Sequence, residues 1–272
     1  MYTRIAVLGG IYSNYLALRT ALADARGRGA EAIFCLGDLG AFGPHPDRVF
    51  PLLRDHGVQC IQGNYDNSIG NDLPDCQCGY TDPRDNHFAR LSYAYTFEHT
   101  APANRAWLRE QPAQLRFQLG NYRALCCHGS PRRPNEFLWE STTSSAFLDS
   151  LFDAHEADVI LATHTGIKWR RSLAAISTGK QGPLLVAERH FVNVGVLGRP
   201  ENDGRTNVWY ALLTARPHVE VEFVPVTYDH VRLAAEMRAE GLPPEFIETI
   251  ETGWWTSCLE VLPGKERRRG RY

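Results

Sequence analysis

Four residues able to ligate a transition metal, Asp38, Asn64, His128 and His164, each stand just after a short apolar run. Asp38 follows Ala32–Leu36, Asn64 follows Val58–Ile61, His128 follows Tyr122–Cys127, and His164 follows Val159–Ala162. One carboxylate, one amide oxygen and two imidazoles form a donor set suited to Mn, Fe or Zn rather than to Ca or Mg. Singly, Gly37-Asp38 and Gly63-Asn64 read as turns, and a lone histidine after a strand reads as a satisfied polar group. The joint pattern is harder to dismiss, because turn chemistry alone does not place ligand types at four strand ends.

The apolar runs must do the positioning. Arg4–Gly9, Ala32–Leu36 and Val58–Ile61 read as strands. Asn14–Arg28 and Pro46–His56 between them read as helices, a rhythm that argues for parallel βαβ units buried on both faces. In such sheets sites form beyond the carboxyl ends of the strands, so the four candidates converge on one crevice. Further on, Ser68–Asn86 is polar and rich in Gly, Pro and Asp, which predicts a long surface loop. Helices are expected over Asn86–His99, Ala103–Gln111 and Ser145–His155, and paired strands at Leu115–Leu119 and Tyr122–Cys127. Strands are expected at His190–Val194, Val208–Leu213 and Val219–Pro225, and helices near His230–Glu240 and Pro244–Thr252. Without repeat or low-complexity linker, the expectation is one domain over 1–272, with a helical extension from about 229.

The runs Gly37-Asp38, Gly63-Asn64, His128-Gly129-Ser130-Pro131 and Thr163-His164-Thr165 resemble the ordered motifs of calcineurin-like metallophosphoesterases, most closely the bacterial branch of small phosphodiesterases and diadenosine-polyphosphatase-like proteins. Phe191–Pro200, Tyr228-Asp229 and Gly241-Leu242-Pro243 resemble later segments of that branch. The resemblance implies an α/β fold, a two-sheet αββα sandwich, and a site where two metals share Asp38. Asn64, His128 and His164 would complete the second metal's set. The family's opening Asp-x-His is replaced by Gly10-Ile11-Tyr12, its closing His-x-His by His164-Thr165-Gly166, and the histidine after the motif asparagine by Tyr65. The three lost ligands are the three private to the first metal, a set that random loss would hit about once in 35 triples of a two-metal site. The expectation is therefore a metal-dependent hydrolase acting on a phosphate ester, for instance a nucleotide, with one transition-metal ion and the second doubtful. The alternative is a non-phosphatase member: a regulatory or binding pseudo-enzyme, or a metal site reused for other chemistry. Tyr12, Tyr65 and Asn14 are the candidate catalytic groups, with Tyr12 expected within hydrogen-bonding or ligating reach of Asp38. Arg132, beside Arg133, and Arg199, near Asn193, are the candidate phosphate contacts.

Composition sets the outer bounds. A net charge of −2 over 272 residues gives no global pull toward nucleic acid or membrane. No apolar stretch approaches the roughly 20 residues that span a bilayer, and the N-terminus lacks a signal-peptide layout, so a cytoplasmic protein is the simplest reading. A homo-oligomer is compatible with the sequence. Cys35, Cys60, Cys126 and Cys127 lie in apolar runs and read as small hydrophobes. Cys76 and Cys78 form a C-x-C in a polar loop, a weak zinc signal with no second pair. The basic tail Lys265–Arg271 reads as a solvated, disordered segment, and Trp254 and Trp255 as anchors of the C-terminal helix.

Overall fold

The computed structural model describes residues 1–176 and 186–268. Two five-stranded mixed sheets form its centre. In the first, β1 (Arg4–Leu8), β2 (Ala32–Cys35) and β3 (Gln59–Cys60) run parallel, while β9 (Val208–Ala215) and β10 (Val219–Val226) continue antiparallel, in the order β10-β9-β1-β2-β3. The second has the order β4-β5-β6-β8-β7, built from β4 (Leu115–Leu119), β5 (Tyr122–Cys126), β6 (Val159–Ala162), β7 (Trp169–Ile176) and β8 (Val186–Asn193). Here β5, β6 and β8 are parallel, and β4 and β7 close the edges antiparallel.

The two-residue period of a strand sorts its side chains into layers. Ile5 and Val7 of β1 point into a core shared with Phe34, Leu119, Cys126, Leu161 and Val192, which lies between the sheets. Ala6 and Leu8 point the other way, into the helices α1 (Tyr15–Gly27) and α2 (Val49–Asp55). Leu125, Ile160 and Phe191 likewise face α6 (Ser145–Ala154) on the outer side of the second sheet. Helix, sheet, sheet and helix give the expected αββα sandwich.

Several elements depart from the sequence expectation. The segment expected as one loop over Ser68–Asn86 contains the end of a short helix, α3 (Asn64–Gly70), and the start of α4 (Pro83–Glu98). Nothing apolar and periodic marks α3. It is set by Asp66 at its third position, whose carboxylate accepts the Gly63 N–H at 2.8 Å. Asp82 caps α4 by accepting from Arg84 N, with Pro83 at the first helical position. No sequence signal marks β7: Arg170 and Arg171 break its apolar run, and from opposite faces of the strand they donate to the carbonyl of Val221 and to those of Glu140 and Thr143. β8 begins at Val186, four residues before the expected start. Cys76 and Cys78 form a disulfide with each other rather than a zinc site. The basic segment begins as a helix, α9 (Gly264–Arg268), held by buried Glu266, which accepts from Ser141 N at 2.9 Å. Residues 269–272 of the tail lie outside the described residues. Trp255 does anchor the C-terminal segment: it is buried, and its indole N–H donates to the Pro200 carbonyl at 2.7 Å. No helix among the described residues is long and apolar enough to cross a membrane.

Between the sheets Phe34 of β2 stacks on Phe117 of β4, 4.3 Å between centroids. Phe34→Ala should lower the free energy of unfolding by about 3–5 kcal/mol, read from urea denaturation. A loss below about 1 kcal/mol would show that the sheets do not depend on this contact.

Candidate metal centre

The loops after β2 and β3 meet over one carboxylate. Asp66 accepts the N–H of Asp38 at 2.6 Å, of Leu39 at 3.0 Å and of Gly63 at 2.8 Å. Asp38 itself is left-handed, with φ 54°, a conformation an L-residue adopts at some cost. That geometry turns its side chain into the crevice. Its Oδ1 accepts the Tyr65 N–H at 3.1 Å and its Oδ2 lies 3.2 Å from His128 Nε2. Gly63 has no alternative here, because a Cβ would come within 2.2 Å of Asp38 Oδ1 and 2.8 Å of His128 Cε1.

The two histidines are presented from the second sheet. His128, just past β5, donates from Nδ1 to the Leu36 carbonyl at 2.6 Å, which leaves the Nε2 lone pair free, as a ligating imidazole requires. His164, past β6, is left-handed at φ 71° and places its Nδ1 3.3 Å from His128 Nε2. Asp38, His128 and His164 each offer a ligand atom within 4.8 Å of the others, and all three are buried. Asn64 joins them at the crevice. Its Nδ2 donates to the Cys76 carbonyl at 2.8 Å, and its Oδ1, also buried, has no partner. Two imidazoles and a carboxylate with ligand atoms within 4.8 Å of one another, and an unpaired amide oxygen beside them, fit a divalent transition metal.

Electrostatics follows burial. Burial and the neighbouring His128 push His164 down to about 3, so its imidazole is neutral at ordinary pH. Burial also works to lower His128, but the Asp38 carboxylate and the Leu36 carbonyl hold it above its usual value. Asp38 is lowered despite burial, chiefly by His128. Asp66 is pushed up to about 6 by burial and by Asp38, against its N–H donors.

Comparison with known proteins decides the family. The chain belongs to the calcineurin-like phosphoesterases. Residues 3–190 match that family, which works with divalent metals. The uncharacterized protein MJ0912 of Methanocaldococcus jannaschii is 26% identical over 246 residues, 89% of this chain and 95% of that one. Two crystal structures share the fold: a metallophosphoesterase from Sphaerobacter thermophilus (TM-score 0.67, 24% identity, 93% of this chain and 100% of that) and the hypothetical protein PH1004 from Pyrococcus horikoshii (TM-score 0.73, 22% identity, 93% and 99%).

The other candidates separate. Tyr12 lines the crevice together with Asp38, Tyr65 and Arg199, but its hydroxyl makes no hydrogen bond to Asp38. Its ring lies against Gly10, and burial raises its pKa far above the phenol range. Tyr65 turns its hydroxyl away, donating to the Ala89 carbonyl at 3.4 Å. Asn14, expected at the chemistry, is the N-cap of α1: its Oδ1 accepts from Ala17 N at 3.0 Å and its Nδ2 donates to the Gly198 carbonyl at 3.1 Å. It therefore positions the Arg199 loop. Asn193 has a similar task, binding the Thr163 carbonyl at 3.0 Å and the Thr165 hydroxyl at 2.9 Å. Arg132, expected on a phosphate, does not line the crevice. Its guanidinium is paired with Glu136 and lies over the Phe147 ring. The residues that sequence reasoning missed are Asp66, legible only as an acid three positions after a Gly helix start, and the rings of Phe42, Phe88 and Phe246, which carry no local signal.

Asp66→Ala should leave three buried N–H groups unpaired, at about 1–3 kcal/mol each. The expected outcome is a lower melting temperature together with weaker metal retention, read by calorimetry and elemental analysis. A variant as stable as the parent would show that the two loops are held by other means.

Proposed function

We propose that this protein is a hydrolase of phosphate esters, working at a centre that holds one transition-metal ion (Mn, Fe or Zn) through Asp38, Asn64, His128 and His164. The observation that carries the reading is the convergence of these donors, three of them within 4.8 Å, with the Asn64 amide oxygen buried and unpartnered beside them. Bound there, the ion supplies Lewis acidity to a phosphoryl oxygen. The chain's own residues do the rest. His128 is fixed in one tautomer by Leu36, Asp38 is oriented by Tyr65 N and by the Asp66 clamp, and the rings of Tyr12, Phe42, Tyr65, Phe88 and Phe246 shield the crevice from bulk water. Exclusion of water strengthens every charge interaction inside.

A second ion has little to hold it. Gly10 and Gly166 bring no donor atom, and the phenol of Tyr12 is shifted away from ionisation. This supports one ion per chain and a substrate that is a small phosphate-containing molecule.

Elemental analysis after reconstitution with Mn, Fe and Zn should find one ion per chain, and His164→Ala should reduce it well below that. No ion under any condition would overturn the reading. Turnover of bis-p-nitrophenyl phosphate should be slow, since one ion cannot clamp both attacking and leaving oxygens. Rates matching ordinary two-metal relatives would show that a second ion binds after all. A retained ion with no turnover on any of a panel of phosphoesters would instead favour the binding or regulatory alternative.

A further inference from the structure

Arg199 is the unexplained charge of the crevice. It is only 6% exposed, its Nε is buried without a hydrogen-bond partner, and no carboxylate among the described residues forms an ion pair with it. Other arginines of the chain are committed: Arg132 to Glu136, Arg189 to Asp149 and Asp153, Arg123 to Asp158. A guanidinium buried without a counter-charge is costly. Aromatic faces offset part of that cost: its carbon lies 3.6 Å from the centre of the Trp255 ring, 5.6 Å from Phe42 and 5.9 Å from Tyr12. A ring against the guanidinium, as Trp255 is, leaves the edge, where the N–H donors lie in one plane, for an acceptor with two oxygens.

Its place in the site identifies that acceptor. Arg199 lines the same crevice as Asp38, Asn64 and His164. It stands on the side of Gly166, where an added Cβ would come within 3.2 Å of its Nη2 and 2.9 Å of the Trp255 ring. Gly166 and Tyr12 are two of the positions from which a first metal would have been held. The chain thus keeps a positive charge on both sides of the crevice, one through metal ligands and one through a fixed side chain. The crevice is small, about 40 Å³, room for a few waters or one compact tetrahedral anion.

We propose that Arg199 takes over the charge of the missing first metal and binds a terminal phosphoryl group bidentately, so that a phosphate monoester is clamped between this guanidinium and the Asp38–His128–His164 side. The proposal rests on the phosphate-ester reading above and deepens it to a substrate class. A monoester dianion presents oxygens to both cations with only one substituent leaving the crevice. A diester must pass two substituents through the same aromatic collar.

The test uses the metal-loaded full chain and inorganic phosphate. Calorimetric titration should show that Arg199→Met binds phosphate at least roughly tenfold more weakly than the parent, the loss of one charge-assisted pair, with metal content unchanged. Arg199→Lys should recover part of the affinity, because it restores the charge without the fork. Without phosphate, Arg199→Met should melt no lower than the parent, since it removes an unpaired buried charge while keeping a side chain against the rings. Phosphate should raise the melting temperature of the parent and not of Arg199→Met. Equal phosphate affinity in parent and Arg199→Met overturns the proposal, as does a melting temperature lowered in Arg199→Met with the phosphate-induced shift intact, which would make Arg199 a packing residue. Phosphate binding that depends on Arg199 in a chain that retains no ion would sustain the anion site and refute the metal reading, so the two fail separately.

Discussion

The carboxylate of Asp66 holds together the two loops on which the centre is built, and most of the site's geometry follows from that constraint. Three backbone N–H groups, of Asp38, Leu39 and Gly63, donate to it. Buried amides left unpaired are costly. The clamp therefore fixes Asp38 in its left-handed conformation, and through the Tyr65 N–H it also fixes which oxygen of Asp38 remains for His128. Around the same crevice Tyr12, Ser13, Ala41, Phe42 and His164 are also left-handed. Strain of this kind persists where surrounding structure over-determines it, and here the sheets on both sides supply that rigidity.

The four metal-ligand candidates were legible in the sequence because strand ends in an α/β fold are legible. A short apolar run followed by Gly-Asp, Gly-Asn or a histidine carries both the element and the site. The polar surroundings were less so. Asn14 and Arg132 have functional side chains in suggestive positions, yet one is consumed by a helix cap and a loop carbonyl and the other by an acid four residues on. Neither partner is visible in a linear pattern until the backbone is folded. Arg199 looked no more distinctive than Arg132 in sequence. What separates them is that Glu136 pairs with one, while no carboxylate among the described residues pairs with the other, which lies against aromatic rings.

The missed elements share a cause. β7 is stabilised by its ladder to β8 and by arginines that reach neighbouring carbonyls, so its sequence need not alternate cleanly. α3 is seven residues long and depends on Asp66 for its first turn, so it has no apolar face to announce it. In both cases tertiary contacts override local propensity. The disulfide between Cys76 and Cys78 belongs with them. It sits in the loop whose Cys76 carbonyl orients the Asn64 amide, which ties a segment without secondary structure to the centre.

The two sides of the crevice have different origins. Asp38, Asn64, His128 and His164 all fall within residues 3–190, the span that matches the family. Arg199, Phe246, Trp255 and Cys258, which close or line the opposite side, fall after it. The C-terminal segment is therefore more than an addition to the surface. Trp255 is fixed by Asn202 and Pro200 and covers one face of Arg199, while Phe246 packs on Phe42, 4.7 Å between centroids. A divalent ion needs its own ligands on the strand ends; a guanidinium needs only planar neighbours and an exit for its N–H groups, which helices and a loop packed from outside can provide. Where the sequence carries Gly10, Tyr12 and Gly166, the positive charge that lines the crevice is Arg199, from outside the span that matches the family, and the C-terminal segment's Trp255 holds it together with Phe42 and Tyr12.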